Sequence, residues 1–362
     1  MINILYVNGN IMKRGGIEAF MMNYFREFNK SEIHIDFIVH GYEKGVYDDE
    51  IIAAGSKIYH VPTKSKHPIK YVNELRKIFK SKKYDIVHSH LDAMSGWVLK
   101  IAKDSGVKIR IAHSHNTNHL TTNPIKYKIN EFARKRVTKY ATHCFACSEE
   151  AGKWLFGNAN FLIIPNAVHI NKFRFDKNQR DKIRNKYGLK DSDILIGNVG
   201  RFDTQKNQKF LVTVFDRLCK ANTNYKLMLV GAGDMKIEIE SYVKNLKLSE
   251  RVIFTGSQEN VNEYYNAMDL FAFPSIFEGL GIALIEAQLN GLTVIASDVV
   301  PKEVKISENI TFKRLSIDVW EDAIKKSRVN RCEENLNLQK YDICIVAQNL
   351  QNLYMSLKEE VK

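Results

Sequence analysis

The sequence predicts an α/β protein built as two doubly wound parallel sheets facing one another across a cleft. Three observations carry this expectation. Short apolar runs rich in branched residues alternate with amphipathic stretches through both halves of the chain. Several of those runs end in glycine or proline and lead directly into a helical pattern, the rhythm of strand, turn and crossover helix. A chain of 362 residues also exceeds what one compact core organises, so two domains of ordinary size are expected.

Composition narrows the class further. No apolar run approaches the length a transmembrane helix needs. The opening residues lack a basic region ahead of their apolar run and read as a first strand, so a cytoplasmic protein is expected. Five scattered cysteines argue against a disulfide framework, and Cys144-Phe-Ala-Cys147 lies in a strand-like alternation with no second ligand pair at metal spacing. The net charge of +13 is uneven: residues 1–165 carry 25 Lys+Arg against 15 Asp+Glu. A basic first half is expected to face an acidic partner such as anionic lipid or a polyanion.

In chain order, the strand at 2–7 passes through Asn8-Gly9-Asn10 and Lys13-Arg14-Gly15-Gly16-Ile17-Glu18 into an amphipathic stretch at 19–28. Gly15 and Gly16 stand at a strand's C-terminal end, where ligands of α/β proteins gather. Strands follow at 33–39 and 58–61. Residues 64–83 hold eight basic residues and one acidic, with Tyr71, Val72, Leu75, Ile78 and Phe79 at helical spacing. Such a helix either packs on its own domain or lies on an anionic membrane. The basic stretch 126–139, with Arg134-Lys135-Arg136, reads as a second helix of that kind. Strands at 86–88 and 109–112 bracket a helix near 96–104. The second strand runs into His113-Ser114-His115-Asn116-Thr117, a polar strand end that suggests a site. Histidines without acidic or cysteine neighbours need not bind metal, and alternation does not decide which of the two faces the site. A strand at 145–148, a helix at 149–155 and a Pro165-Asn166 turn complete this half, and a charged helix at 176–187 follows.

The second half opens on the buried strand 194–202, which delivers Gly200 and Arg201 into a loop, with Lys206 five residues on. Cations are costly there unless an anion meets them; arginine holds phosphate bidentately and lysine as a point charge. The strand at 225–230 ends in Gly231-Ala-Gly233, which lacks the third glycine of a dinucleotide fingerprint. Strands at 252–256 and 293–297 continue the alternation. The run at 270–273 is the most informative. Pro274-Ser275 ends it, Glu278-Gly279-Leu280-Gly281 makes a glycine loop, and Ile282 begins a helix to Leu289 that Gly291 terminates. Free N–H groups at such a helix start favour an anion. On a continuous helix Glu278 and Glu286 would lie roughly 12 Å apart, too far to share a proton but suited to two hydroxyl-bearing ends of one long ligand. Residues 319–327 suggest a helix, the rest of 310–337 resists reading, and 341–357 reads as a long terminal helix.

This segment, with its Pro-Ser, Gly-x-Gly and Glu-Ala-x-x-x-Gly context, resembles at nearly every position the E-x7-E motif of glycosyltransferase family 4, retaining enzymes of the GT-B fold. Gly200-Arg201…Lys206 is similar to the family's diphosphate-binding pattern, and Gly15-Gly16 to its first-loop pair. His115, rather than His113, resembles the histidine beside donor sugar and acceptor. Val300-Pro301-Lys302 departs from the Gly-rich text expected before Glu303, which leaves the donor sugar unassigned. The resemblance implies Rossmann-like domains at 1–165 (acceptor) and 166–340 (nucleotide-sugar), joined near Pro165, with 341–362 a helix crossing back to the first.

By the same resemblance, Arg201, Lys206 and the amides of Gly279, Leu280, Gly281 and Ile282 stabilise a departing nucleoside diphosphate. Glu286 holds the ribose and Glu278 the donor sugar, while Gly15, Gly16 and His115 complete the acceptor side. No cofactor and no metal are expected, because no Asp-x-Asp cluster is placed as a metal site and two cations take the ion's place. The implied donor is a UDP-sugar, because UDP is common in the family. The implied acceptor is a glycan or lipid-linked sugar of bacterial surface polysaccharide, with the basic half peripheral on the inner face of the plasma membrane. Two other classes remain: a UDP-sugar 2-epimerase of the same architecture, and a non-enzymatic basic binder. Nucleic acid is not an expected partner, because the basic stretches lack interleaved aromatics.

Overall fold

The computed structural model describes residues 1–119, 121, 123–328, 331 and 338–361. Cys332 and part of the stretch that resisted reading in the sequence therefore lie outside the described residues. The chain forms two compact units, Met1–Val168 with Gln339–Lys362, and His169–Leu338.

The first unit is built on seven strands: β1 (Ile2–Asn8), β2 (Ile33–His40), β3 (Ile58–Val61), β4 (Ile86–His90), β5 (Ile109–Ser114), β6 (His143–Ala146) and β7 (Leu162–Ile163). They pair in the order β3-β2-β1-β4-β5-β6-β7, every pair parallel. Alternate residues of β1 serve opposite faces, as strand geometry requires. Ile4 and Tyr6 enter one core with Phe20, Met21 and Phe25 of the helix Gly16–Glu27. Leu5 and Val7 enter another with Leu75 and Phe79 of Pro68–Ser81 and Val98 and Leu99 of Ser95–Asp104. The terminal helix Ile343–Glu359 seats Ile343, Val346, Leu350, Tyr354 and Leu357 in the first of these cores.

The second unit carries β8 (Ile194–Val199), β9 (Tyr225–Val230), β10 (Val252–Gly256), β11 (Leu270–Phe273), β12 (Thr293–Ser297) and β13 (Ile310–Lys313) in the parallel order β10-β9-β8-β11-β12-β13. Its four inner strands, β9, β8, β11 and β12, are largely buried, which explains their nearly unbroken apolar runs. Trp320 of the helix Ile317–Lys326 is fully buried with Phe215, Leu227 and Ile295.

Both sheets are doubly wound. Strand order reverses between β1 and β4 in one and between β8 and β11 in the other, and in open α/β sheets ligands bind beyond the strand ends at that reversal. Two sequence expectations need correction, and one stretch left unread is filled. The basic stretch 126–139 is two helices, Pro124–Arg134 and Val137–Tyr140, because the turn at Arg136 packs against Gly96, where any Cβ would crowd the Ala133 carbonyl. The strand expected at 145–148 lies earlier, at β6, since Ser148 instead caps the helix Glu149–Phe156 by accepting from the Ala151 N–H. Finally, β13 occupies part of the stretch that the sequence left unread.

Candidate active site

In the second unit the loops after β8 and β11 flank the reversal point and are tied together. Gln205 Nε2 donates to the Phe277 carbonyl at 3.0 Å, Ile276 N–H to the Gln205 carbonyl at 2.9 Å, and Asn207 Nδ2 to the Pro274 carbonyl at 3.2 Å. Asn207 closes the first loop in the left-handed region, at φ +55°. Across this junction Lys206 Nζ lies 2.5 Å from Glu278 Oε1 and 4.8 Å from the Phe273 ring centroid. Arg201 Nε contacts Asp203 Oδ2 at 2.6 Å, and the other oxygen of Asp203 accepts the Lys206 N–H at 3.0 Å. Each cation delivered by β8 is thus met by a carboxylate, which satisfies the requirement that such a charge not be left alone.

Gly281 is the last residue before the helix Ile282–Leu289 and has φ +87°, a conformation glycine adopts without strain. The first amides of that helix lack intrahelical partners, and they follow Glu278, Gly279, Leu280 and Gly281 directly in the chain. The helix begins only at Ile282, so Glu278 sits in the loop and the 12 Å spacing of a continuous helix does not describe the two glutamates. Glu286 accepts from the Tyr265 hydroxyl at 2.7 Å. Burial pushes its carboxyl up to about 7, against the opposing pull of the Tyr265 bond and the Lys172 charge.

Sequence reasoning missed the role of Gly231 and Gly233. Both have positive φ, and a Cβ would overlap the Gly200 carbonyl at the first and the Phe202 backbone at the second. Phe202 N–H bonds the Ala232 carbonyl at 2.9 Å, so these glycines let the β9 loop support the loop of Arg201. Their place at a strand end was the available signal, and the comparison with a dinucleotide fingerprint obscured it.

The first unit places Gly15 and Gly16 after β1, at the start of the helix Gly16–Glu27. Gly15 lies directly over the carboxylate of buried Glu18, which accepts from Asn8 Nδ2 at 3.0 Å. His113 is enclosed within β5, and His115 stands just past its end, buried but at the strand tip. The sequence did not single out His88 and His90, which join them from β4. His88 Nε2 lies 3.1 Å from His113 Nδ1, and His90 Nδ1 lies 2.9 Å from His115 Nε2. The His113 and His115 rings stack at 4.2 Å, and His88 Nδ1 lies 2.7 Å from the Tyr354 hydroxyl of the terminal helix.

Burial drives all four imidazoles down, His115 to about 3, so they are neutral. Among the described residues, His88, His90 and His113 bring three nitrogens within 4.8 Å of one another, a grouping that alternation along one strand cannot reveal. Asp92, at φ +47°, accepts the His115 N–H at 2.6 Å and Asn116 Nδ2 at 2.7 Å. Elsewhere, Cys144 lies on β6 and burial raises its thiol to about 11, which makes it a poor thiolate.

Two doubly wound sheets, one bearing a lysine, an arginine and a glycine-rich helix start at its reversal point, define a GT-B glycosyltransferase. Residues 14–172 match the family described as "Glycosyltransferase Family 4" and residues 179–340 the family "Glycosyl transferases group 1". The chain is 31% identical to the putative glycosyltransferase EpsF of Bacillus subtilis (strain 168) over 87% of its own length and 85% of that protein. It is 28% identical to the capsular polysaccharide biosynthesis glycosyltransferase CapH of Staphylococcus aureus, over 98% and 99% of the two chains. It superposes on the crystal structure of Anabaena Alr3699/HepE in complex with UDP and glucose with a TM-score of 0.73 at 18% identity, covering 100% of this chain and 98% of that one. The protein belongs to glycosyltransferase family 4. Among the described residues, no helix is long and apolar enough to cross a membrane.

Proposed function

We propose that the enzyme is a retaining glycosyltransferase. It moves a hexose or N-acetylhexosamine from a nucleotide-diphosphate sugar, with UDP as the nucleotide, to a hydroxyl of a glycan or lipid-linked oligosaccharide. The setting is bacterial surface polysaccharide synthesis, and the basic first unit works against an anionic membrane. The observation that carries this reading is Lys206 held against Glu278 at the β8–β11 reversal, beside the amides from Gly279 to Ile282. The capsular role in the name of CapH and the UDP complex of HepE support the setting and the nucleotide.

The reaction follows from charge. As the bond between the anomeric carbon and the phosphate oxygen breaks, negative charge grows on the diphosphate, and preorganised donors aimed there lower the barrier. Lys206 and Arg201 exchange their carboxylate partners for phosphate oxygens, which frees Glu278 to accept from a sugar hydroxyl. Glu286 accepts from the ribose. The acceptor oxygen bonds the anomeric carbon on the face the phosphate leaves, and its proton passes to the departing phosphate oxygen. His115, neutral at the tip of β5, orients the acceptor by hydrogen bonding. Two cations take the place of a divalent ion.

Thermal unfolding with UDP, GDP, ADP and CMP tests the donor site, comparing wild type with Lys206→Ala/Glu286→Ala. A ligand at one hundred times its dissociation constant stabilises by about 2.7 kcal/mol. One diphosphate is expected to raise Tm, and the double variant to abolish the shift; no shift with any nucleotide removes the donor reading. Conversion of the donor to an epimer without an acceptor would favour the 2-epimerase alternative, and an inverted anomeric centre in the product would overturn retention.

A further inference from the structure

His115 is held from two sides. Asp92, just past β4, fixes its backbone by accepting the His115 N–H at 2.6 Å, and His90 holds its ring, with Nδ1 2.9 Å from His115 Nε2. Of the two rings only His115 reaches the surface, 8% exposed against 1% for His90. The His90 ring meets Tyr6 edge on, with centroids 4.9 Å apart, and stacks on His88 at 4.2 Å. Its second nitrogen, Nε2, is buried and has no hydrogen-bond partner among the described residues. The described hydrogen bonds of His115 use Nε2 and the backbone N–H, which leaves Nδ1 for a ligand.

These facts decide which way the bond between the rings runs. Burial keeps both imidazoles neutral, and a neutral imidazole carries one N–H and one lone pair. If His115 Nε2 donates, His90 must carry its proton on Nε2, where nothing accepts it. If His90 Nδ1 donates, the orphan at Nε2 is only a lone pair. Orphaned N–H groups are rarer in protein interiors than under-used acceptors. His90 is therefore the donor, and His115 carries its own proton on Nδ1.

We propose that His90 is a positioning residue: it fixes the tautomer of His115, so that an Nδ1–H rather than a lone pair meets the acceptor hydroxyl. The inference rests on the reading of His115 above and deepens it. Which nitrogen of a histidine holds the proton is set by the bond the other makes. A lone pair at Nδ1 would draw the hydroxyl proton to itself. An N–H instead donates to the lone pair of the acceptor oxygen that does not attack, and the hydroxyl proton stays available to the departing phosphate oxygen. His115 thus holds the acceptor without competing for its proton.

Side-chain 1H–15N correlation spectra of the full chain at pH 7, labelled at histidine, read the tautomer directly; the His115 signals are those lost in His115→Ala. Wild type is expected to show His115 protonated on Nδ1. His90→Phe keeps a ring and removes the donor, and should release His115 to the Nε2–H form. Turnover is read as transfer of labelled sugar from UDP-glucose or UDP-N-acetylglucosamine to lipid-linked oligosaccharide extracted from bacterial membranes. His90→Phe should lower it about two- to tenfold, the scale of one neutral hydrogen bond, with KM for the donor unchanged. His90→Asn, whose amide nitrogen can stand where Nδ1 stood, should restore the Nδ1–H form and most of the turnover. A wild-type His115 protonated on Nε2 overturns the proposal, as does an unchanged tautomer in His90→Phe. Equal loss of turnover in both His90 variants, with melting temperatures lowered alike, also overturns it, because packing alone would do that. Full turnover in His115→Ala, or no transfer by wild type, removes the acceptor reading instead, and the spectra still decide what His90 does.

Discussion

The β8–β11 crevice of the second unit and the β1–β4 crevice of the first arise from the same reversal of strand order, yet they are lined by opposite chemistry. At β8–β11 the side chains are charged and held in pairs, Lys206 with Glu278 and Arg201 with Asp203. At β1–β4 and the adjoining β5 four imidazoles are hydrogen-bonded to one another and kept neutral by burial, with the carboxylates of Glu18 and Asp92 held by Asn8 and by the His115 N–H beside them. The topology dictates where a ligand can reach both loops; the side chains decide which part of a reaction each crevice serves. Charged pairs can trade partners with an anion without stranding a charge, whereas a neutral row places hydrogen bonds and carries no charge of its own.

The largest expected effect breaks the charged crevice. Lys206→Ala should lower kcat about a hundred- to a thousandfold, the scale for losing one preorganised group at a developing anion. It also leaves the buried Glu278 carboxylate without its cation, so some stability goes too. Lys206→Ala/Glu278→Gln should recover that stability and none of the activity. Steady-state kinetics beside melting curves separates the two effects, and a single variant with wild-type kcat would end the comparison at its charged side.

The neutral crevice should break under acid. His88, His90, His113 and His115 have folded pKa values depressed below 6.5, so below that value the unfolded chain binds more protons than the folded one. The contribution of this row to stability therefore falls as pH drops through 6.5 and keeps falling towards the depressed values, about 3 for His115, while the raised carboxyl of Asp92, at about 6, runs the opposite way. Each histidine contributes up to about 1.4 kcal/mol per pH unit in that window. With Trp320→Phe, fluorescence reports only Trp97 and Trp154 of the first unit, and denaturant midpoints at pH 7 and pH 5.5 give the slope. Replacing His88 and His113 together by Asn should flatten it; an unchanged slope would mean that the row is not what titrates.

Much of the second crevice was legible because glycine, proline and helix-start residues are local signals. Pro274-Ser275, Gly281 and Gly291 mark where β11 stops and where the helix Ile282–Leu289 begins and ends. The histidine row was not legible, because its members come from β4 and β5 and meet only through the register His88↔Ile111 and Ser89↔Ala112. Nor could pattern alone decide the fate of the two basic helices. Both start with proline and carry an apolar stripe, yet Pro68–Ser81 buries Tyr71, Leu75, Ile78 and Phe79 while Pro124–Arg134 leaves Ile125, Ile129 and Phe132 outside. Periodicity shows that an apolar face exists; only the packing of neighbouring elements determines what covers it. The partners of Arg201 and Lys206 were hidden for a related reason, since the cost of a buried cation demands an anion without saying whether a ligand or the chain supplies it.

A smaller effect sharpens the comparison by finding one titrating group on the charged side. Glu286 has its folded carboxyl raised to about 7, so between its ordinary range and that value the folded state holds the extra proton. Stability from this group declines as pH rises through that window, opposite in sign to the histidine row. Ribose hydroxyls donate to a carboxylate, so nucleotide binding favours the ionised form and should tighten as pH rises through about 7. The diphosphate gains charge over part of the same range, so only the difference from Glu286→Gln is informative. Calorimetric titration of UDP at pH 6 and pH 8 should show wild type gaining more affinity than Glu286→Gln. At pH 8 the variant should bind about tenfold more weakly, the scale of hydrogen bonds to a charged acceptor. Equal pH dependence in the two proteins would move Glu286 out of the ribose site and leave its bond to Tyr265 as a structural contact within the second unit.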